Sequence, residues 1–379
     1  MRTHYNKQNY NQFKKQPRYY EIWQYIHIDR FLFFFLLLIS FVGLGILYSA
    51  SNQNFGTFTQ QVSRLCIAFL LMLIIAQIPP NTLRRWAPWI YGLSLGLLIV
   101  VLFIGHIGKG AQRWLTLGGL RLQPAELMKL AIPLILASYY QKILLPLKIR
   151  ETFISFFLIF IPVILTAKQP DLSTALLLLI IGASILFLAG ISWRFLSILG
   201  GLFIISTPIL WFFMRGYQRQ RILTFFNPER DPLGAGYHII QSKIALGSGG
   251  MFGKGWLNGT QSHLHFLPEH KTDFIFAVCG EEFGLIGCLL ILTLYLLIVA
   301  RGFYIALYAQ DTFSRLLAGS LTLSFLISFC INISMVTGIL PVAGVPLPFI
   351  SYGGSSLMTL MMSFGMLMSI ETHKKLITT

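Results

Sequence analysis

The feature that most constrains this chain is a series of apolar runs, each about 20 residues long, separated by short polar connectors. A helical run of that length crosses the hydrocarbon core of a bilayer. Of the 379 residues, 55% are hydrophobic and 11% are charged, and the mean hydropathy is +0.70. A soluble domain of this size cannot bury so much apolar surface. The sequence therefore predicts an all-α polytopic membrane protein.

Ten apolar segments are candidate transmembrane helices, with one large polar loop between the seventh and the eighth. The candidate spans are 31–50, 62–78, 88–106, 123–140, 152–167, 172–190, 195–213, 274–299, 316–338 and 353–370. About 29 polar, basic residues precede the first run, which argues against a cleaved signal peptide. We interpret the chain as a single membrane domain, 30–371, with polar tails at 1–29 and 372–379.

Lysine and arginine are concentrated in the tails and in connectors on one side of the predicted spans. Arg84 and Arg85 follow the second span, and Lys142 follows the fourth. Short cytoplasmic loops are enriched in these residues, so both termini are predicted to lie in the cytoplasm and the loop 214–273 outside the cytoplasmic (inner) membrane. Orientation and contact with anionic membrane lipids explain the net charge of +16 better than nucleic acid does.

The large loop and the start of the eighth span hold a disproportionate share of the carboxylates. Six of the 13 acidic residues lie there: Glu229, Asp231, Glu269, Asp273, Glu281 and Glu282. Asp171 is expected to lie nearby. Long loops in compact domains are uncommon unless they are functional. The loop is therefore predicted to carry chemistry or recognition, with a solvated connector as the alternative.

Two further clusters are predicted on the outer face. Trp114 suits a membrane interface or the face of a sugar. Glu126 and Lys129 follow a helix start at Pro124 and share one helix face about a turn inside the membrane. A charge pair at that depth indicates either a functional site or a pair that fixes helix packing. Asp171 is most simply the cap of the next span.

Within the large loop, Arg219 and Arg221 are candidates to grip a phosphate, because guanidinium groups match its oxygens. The GSGG stretch at 247–250, with Gly253, Gly255 and Gly259, allows tight turns and close backbone approach, and plain loop flexibility is the alternative. Asp273 lies at the mouth of the eighth span, where partial burial should raise its pKa and suit a general base; a helix cap is the alternative. Glu281 and Glu282 lie deeper and need partners, for which Lys129 or a loop arginine would serve.

The segment 340–356 contains three prolines and several glycines at membrane depth, which forbids a regular helix. Irregular backbone is tolerated there only where protein buries it or where it lines a cavity. This segment is one of four outer-face clusters that could converge on one site.

These motifs together resemble one family. KGAQRW, QPAELMK, QPDLST, YQRQRI, NPERDPLGAGYH, QSKIALGSGG, LPEHKTDFIFA, GEEFG and LPVAGVPLPFISYGGSS follow in order from 109 to 356. They resemble the SEDS (shape, elongation, division and sporulation) peptidoglycan polymerases, and the rod-shape members more than the division members. Lys271 departs from the pattern, since the family usually has His two residues before the aspartate.

The resemblance implies that the chain polymerises lipid II on the outer face of the membrane, with Asp273 as catalytic base and undecaprenyl pyrophosphate as leaving group. It also implies a class B penicillin-binding protein and other elongation-complex proteins as partners. No metal ligand set is predicted, although a divalent cation, Mg or Mn, could assist. The candidate substrate-binding residues are Trp114, Glu126, Lys129, Arg219, Arg221, Lys254, Glu269, Glu281 and Ser351.

Two other functions fit parts of the sequence. A flippase for lipid II would also need a cavity, buried charges and a basic grip on pyrophosphate, but not a single carboxylate at the outer mouth. A non-catalytic scaffold of a wall-synthesis complex would use the large loop as a docking surface. Loss of polymerisation in an Asp273→Asn protein that still inserts in the membrane would separate an enzyme from both.

Overall fold

The computed structural model describes most of the chain from residue 26 to residue 374. The described residues are 26–108, 111–117, 120–143, 148–191, 197, 201, 205, 211–212, 214, 216–230, 234–264, 266–267 and 269–374. The polar tail 1–29 therefore falls almost entirely outside them, as does most of the predicted span 195–213.

Helices dominate the described residues. They are α1 (Arg30–Ala50), α2 (Phe55–Ala76), α3 (Pro80–Ile104), α4 (Pro124–Tyr140), α5 (Ile149–Lys168), α6 (Leu172–Leu188), α7 (Gly216–Phe226), α8 (Ala235–Ser248), α9 (Thr260–His263), α10 (Ile275–Leu307), α11 (Thr312–Val336) and α12 (Ser355–Thr372). A short 3-10 helix, Pro228–Arg230, follows α7.

Six of these helices are long and apolar enough to cross a membrane: α1, α2, α3, α5, α10 and α11. The shorter α4, α6 and α12 coincide with three more predicted spans. A polytopic helical membrane protein is thus confirmed, whereas the count of ten spans stays a prediction. The loop 214–273 contains α7, α8 and α9, so the described part of it is folded.

Local chemistry sets where the helices begin. The Asp29 side chain accepts the main-chain N–H of Leu32 at the start of α1, and Asp171 accepts that of Thr174 at the start of α6. Each carboxylate satisfies one of the N–H groups that a first helical turn leaves unpaired. Pro80 and Pro124 occupy first-turn positions of α3 and α4, where a proline costs no hydrogen bond.

A small antiparallel sheet departs from the all-α prediction. Strands β1 (His106–Gly108), β2 (Ala111–Leu117) and β3 (Leu120–Leu122) form a meander in the order β1-β2-β3 between α3 and α4. In the second pairing, Leu115 lies opposite Leu122. Sequence analysis treated this connector as a loop because its strands are short, and short strands carry a weak periodic signal.

Two helices form the centre of the molecule. Most residues of α4 are buried, and α11 is the most buried of the helices that are long enough to span a membrane. α11 packs against α4, α6 and α10, and α12 packs against α2. The surrounding helices expose apolar side chains outward, as expected where lipid replaces water. The site described next lies where α10, α11 and α12 meet the irregular segment before α12.

Candidate functional site

Asp273 lies immediately before α10 and is half-buried. Its Oδ2 lies 3.6 Å from the point where a Cβ on Gly344 would stand. The carboxylate therefore faces the irregular segment 340–353, at a residue that has no side chain. Phe274, not Asp273, is the N-cap of α10, and that cap receives no side-chain hydrogen bond. The capping alternative for Asp273 is thus not what the structure shows.

Two buried side chains hold the backbone around Asp273. The amide of Asn332 in α11 donates to the carbonyl of Asp273 at 2.8 Å and to that of Val345 at 2.7 Å. The Ser351 hydroxyl donates to the carbonyl of Thr272 and accepts the main-chain N–H of Leu347. Asn332 is fully buried, so each lost bond would leave an unpaired carbonyl in the interior. The two side chains join the turn at 269–274, which precedes α10, to the irregular segment.

Ser351 was predicted to bind substrate, but its hydroxyl is committed as donor and as acceptor to the protein backbone. Its contribution in this structure is to position Thr272 next to Asp273. Asn332 was missed by sequence analysis. The available signal was the one amide side chain in the predicted span 316–338, because a buried amide needs hydrogen-bond partners.

The first half of α2 supplies a polar edge to the same segment. Gln60 Oε1 accepts the Tyr352 hydroxyl at 2.7 Å, and the Arg64 guanidinium carbon lies 4.4 Å from the centre of the Tyr352 ring. The Tyr352 N–H in turn donates to the carbonyl of Lys271 at 2.9 Å. A partly exposed arginine therefore lies two contacts from the carbonyl of Lys271, two residues before Asp273. Arg64 was also missed, because a single arginine in a predicted span has no pattern of its own.

A cavity of about 60 Å³ lies beside this segment, between α4, α11 and α12. Its lining includes Glu126, Lys129, Ser324, Val345, Ser351 and Thr359. It has room for a few water molecules and is far smaller than a disaccharide. Of the two settings expected for irregular backbone at membrane depth, both occur here: residues 345–349 and Ser351 form one wall of the cavity, and most of them are buried by protein.

The predicted pair Glu126–Lys129 forms and faces the cavity. Lys129 Nζ lies 2.7 Å from Glu126 Oε1, and the Thr359 hydroxyl lies 3.3 Å from Glu126 Oε2. Glu126 is buried and Lys129 is largely shielded. Because neither charged group is freely solvated, each one stabilises the charge of the other. The pair forms one polar patch in an otherwise apolar wall.

The predicted partners of Glu281 were wrong. Among the described residues, the cation at Glu281 is Lys254, whose Nζ lies 2.7 Å away, and neither Lys129 nor a described loop arginine. The Thr260 hydroxyl at 2.9 Å and the Gln261 N–H at 3.0 Å also donate to Glu281. Glu281 is fully buried, so this network fixes the connector between α8 and α9 on α10. Glu282 accepts a hydrogen bond from Ser49 of α1 instead.

The glycine-rich stretch enters a break in α10. Gly284 has φ +66° and ψ −162°, which interrupts the helix. Four backbone hydrogen bonds fill the gap: Lys254 and Gly255 donate to the carbonyls of Glu281 and Glu282, and Leu285 and Ile286 donate to those of Gly250 and Met251. The predicted close backbone approach is confirmed, and it satisfies the groups that the break leaves unpaired.

The other candidates have contacts of their own. The Arg219 guanidinium donates to the carbonyls of Trp211 and Phe212, and Arg221 is exposed. Glu269 is exposed and accepts the Thr272 hydroxyl at 3.0 Å. Trp114 lies half-buried on β2. Their roles in substrate binding stay predictions.

The two remaining predicted clusters meet each other. Arg113 next to Trp114, and Gln123 before α4, both contact Asp171 Oδ2 at 3.2 Å. The Asp171 cap thus also anchors the small sheet and the start of α4. His270 points its Nδ1 to the Leu267 carbonyl at 2.8 Å, which occupies that ring nitrogen.

The described residues offer no preformed set of ligands for a metal ion. Within the part of the chain that the structure describes, no group of three or more His, Cys, Asp or Glu side chains is placed to hold an ion. A divalent cation at Asp273 would need oxygens from a bound substrate to complete its coordination.

Comparisons with known proteins agree with this geometry. The family described as cell cycle proteins FtsW, RodA and SpoVE matches residues 29–376. The peptidoglycan glycosyltransferase MrdB of Escherichia coli K12 is 48% identical over 363 residues, which cover 96% of this chain and 98% of MrdB. The probable peptidoglycan glycosyltransferase FtsW of Trichlorobacter lovleyi is 37% identical, over 92% of this chain and 94% of that protein.

Solved structures show the same fold. A chain from a peptidoglycan synthase complex that coordinates polymerisation and crosslinking superimposes with a TM-score of 0.79 at 32% identity, over 91% of this chain and 97% of that one. The rod shape determining protein RodA of Thermus thermophilus superimposes with a TM-score of 0.70 at 28% identity, over 92% and 98%. A family match over almost the whole described fold, with relatives at this identity and coverage, shows that the chain belongs to the FtsW/RodA/SpoVE family.

Proposed function

We propose that this chain is a peptidoglycan glycosyltransferase that polymerises lipid II into glycan strands for cell elongation and rod shape. The observation that carries the proposal is Asp273, a half-buried carboxylate facing Gly344, whose backbone is held by Asn332. The similarity to MrdB, which is named a peptidoglycan glycosyltransferase and is 48% identical, supports the proposal. A rigid support of this kind suits a group that must meet a reacting proton within a narrow range of distances.

The proposed reaction needs one base. Asp273 accepts the proton of the 4-hydroxyl on the acceptor GlcNAc as that oxygen bonds to C1 of the donor MurNAc. The bond from C1 to the diphosphate oxygen breaks, and undecaprenyl pyrophosphate leaves with its electron pair, so the configuration at C1 inverts. The leaving group is a stable anion, which needs positive charge more than a general acid. The raised pKa expected for Asp273 remains part of this proposal.

Arg64 is the arginine best placed to supply that charge. Its guanidinium lies over Tyr352, whose N–H is bonded to the Lys271 carbonyl two residues before Asp273. Lys129 is deeper and already paired with Glu126, so it suits a contact inside the cavity. Arg219, Arg221 and a divalent cation held partly by the substrate are further proposed sources of charge.

The membrane arrangement follows the charge distribution of the sequence. Asp273 and the loop 214–273 are proposed to lie outside the cytoplasmic membrane, and both termini inside it. The lipid tail of the substrate would occupy the bilayer beside the site. A class B penicillin-binding protein with a single span is the proposed partner, which the similarity to a chain of a peptidoglycan synthase complex supports.

A lipid II flippase is the second candidate, and the membrane-embedded cavity with its Glu126–Lys129 pair favours it. A transporter needs a polar patch along its path, but it has no use for a base at the outer mouth. The two functions therefore differ in how they depend on Asp273.

The test is glycan-strand formation from purified lipid II by the wild type, Asp273→Asn and Asp311→Asn, each with its transpeptidase partner. Asp311 caps α11 through the N–H of Ser314, and Asn caps as well, so this control makes the same charge change at a helix start outside the site. We expect the Asp273 variant to lose about 10²- to 10⁴-fold in rate and the Asp311 variant to keep its activity. Equal polymer from all three proteins would refute the base assignment. No polymer from any of them, with lipid II crossing liposome membranes, would favour the flippase.

A further inference from the structure

The start of α3 exposes an unusual pair of indoles. Trp89 is 80% exposed, Trp86 is 48% exposed and Leu93 is 66% exposed. With Ile90, these side chains line an open groove of about 490 Å³, which we call the tryptophan groove. Residues three and four apart share a helix face, so the groove runs along one side of α3. Its volume lies within the range of small-molecule sites, roughly 300 to 1,000 Å³.

A basic rim borders the tryptophan groove. Arg85 is exposed and precedes Trp89 by four residues, so it shares that helix face, and Arg84 is partly exposed next to it. The Ser138 hydroxyl donates to the Arg84 carbonyl, which brings the end of α4 to this place. Exposed Lys142 follows that end of α4. Between residues 30 and 150 the sequence has one carboxylate, Glu126, and it is already paired with Lys129.

The groove lies at the membrane face that carries both ends of the described chain. Gln77 in the turn before α3 donates to the carbonyl of Ile26, and the Ser369 hydroxyl near the end of α12 donates to that of Ile78. Tryptophan side chains prefer the boundary between headgroups and acyl chains. The groove is therefore at headgroup depth, with its apolar side toward the acyl region.

We propose that the tryptophan groove and its basic rim bind one anionic phospholipid. The indoles and Leu93 contact an acyl chain, and the phosphate of the headgroup accepts hydrogen bonds from the Arg84 and Arg85 guanidiniums. Charge complementarity favours this occupant, because the ammonium of a zwitterionic lipid offsets the attraction of its phosphate to the rim, and an apolar protein helix brings no anion. The proposal is independent of the glycosyltransferase assignment.

The test uses the full chain reconstituted in vesicles of phosphatidylcholine. A small fraction of the lipid is replaced by dibrominated phosphatidylglycerol or, in parallel, by dibrominated phosphatidylcholine, and quenching of tryptophan fluorescence is measured. Each arginine near a surface contributes about 1 kcal/mol toward anionic lipid, which corresponds to about a fivefold preference. In the wild type, we expect brominated phosphatidylglycerol to quench more strongly than brominated phosphatidylcholine. Arg85→Gln should lower the apparent affinity for phosphatidylglycerol about fivefold.

Two variants make the assignment specific. Trp86→Phe with Trp89→Phe should remove the quenching that depends on phosphatidylglycerol, because it removes the reporting indoles while keeping an apolar groove. Arg315→Gln, which removes an exposed arginine at the start of α11, should leave the preference unchanged. Equal quenching by both brominated lipids would overturn the proposal, as would an unchanged preference in Arg85→Gln. Quenching that vanishes as protein dimers form would instead assign the groove to a second copy of the chain.

Discussion

At the scale of single residues, the site depends on a few buried polar side chains, each of which is hydrogen-bonded to the backbone of another segment. Asn332 bridges two carbonyls, Ser351 bridges a carbonyl and an N–H, and Glu281 collects three donors from one connector. Such groups are costly to bury unpaired, so each one restricts the backbone to the conformation that satisfies it. Asp273 inherits its position from these neighbours.

Asn332→Leu should slow catalysis without a matching effect on substrate affinity. The substitution leaves the carbonyls of Asp273 and Val345 unpaired, at a cost of about 1–3 kcal/mol each, so the backbone of Asp273 should shift. We expect kcat for glycan polymerisation to fall about tenfold or more, with a smaller change in KM. The pH dependence of kcat should change as well, because the surroundings of the base change.

The exposed Asn227→Leu serves as the control for Asn332→Leu. A purely structural role for Asn332 would reduce the fraction of folded enzyme and the melting temperature while leaving the pH profile of the remaining activity intact. That pattern would argue against Asn332 as a positioning residue.

At the scale of elements, the break in α10 organises the middle of the molecule. The helix stops at Gly284, and backbone groups from residues 250–255 replace the lost helical hydrogen bonds. The position of the first part of α10, which follows Asp273, therefore depends on the connector between α8 and α9 as much as on the rest of α10. The presence of apolar runs predicted α10, but not this break, because a single glycine in a run is compatible with a continuous helix.

Gly284→Ala should destabilise the folded protein. The residue has φ +66°, and a Cβ there would overlap the main-chain N of Gly253. Strain and overlap together should cost about 2 to 4 kcal/mol, visible as a lower melting temperature in detergent. Gly247→Ala is the matched control, since a Cβ on Gly247 meets nothing within 4 Å. Equal melting temperatures for the two variants would contradict this account of the break.

At the scale of the whole molecule, the two ends of the described chain meet at one membrane face. Arg301 of α10 pairs with Asp29 before α1 and lies 3.5 Å from Glu371 at the end of α12. The rings of His27 and His373 stack with centres 3.8 Å apart. These contacts join the first, tenth and twelfth described helices, so the terminal segments close the bundle on that side.

Stability should fall in mild acid through His27. Burial, and then the charge of His373, lower the pKa of His27 below its usual 6.5. The unfolded chain therefore binds this proton first as the pH falls, so the contribution of the neutral ring is complete above pH 6.5 and is lost below it. Melting temperatures in detergent at pH 7.5 and 5.5 test this, and His27→Gln should reduce the difference. An unchanged difference in that variant would exclude His27 as the source.

Much of this architecture was readable from the sequence, because hydropathy is a local property. Runs of apolar residues located α1 to α6 and α10 to α12 to within several residues, and Pro124 and Asp171 marked helix starts. The same reading placed Glu126 and Lys129 on one face, where the structure pairs them. A carboxylate at the mouth of a span, Asp273, needed only its position relative to the apolar run that follows.

The tertiary structure alone decided which distant residues meet. Ser49 donates a hydrogen bond to Glu282, 233 positions away, and Tyr352 donates one to Gln60, 292 positions away. Glu281 took Lys254, although sequence analysis favoured Lys129 or an arginine. From a buried carboxylate in the sequence one can infer that a cation must lie nearby, but not which one, because any cation would supply the same Coulomb attraction. Packing decides which cation it is, because the backbone of residues 250–255 that fills the break at Gly284 also brings Lys254 to Glu281.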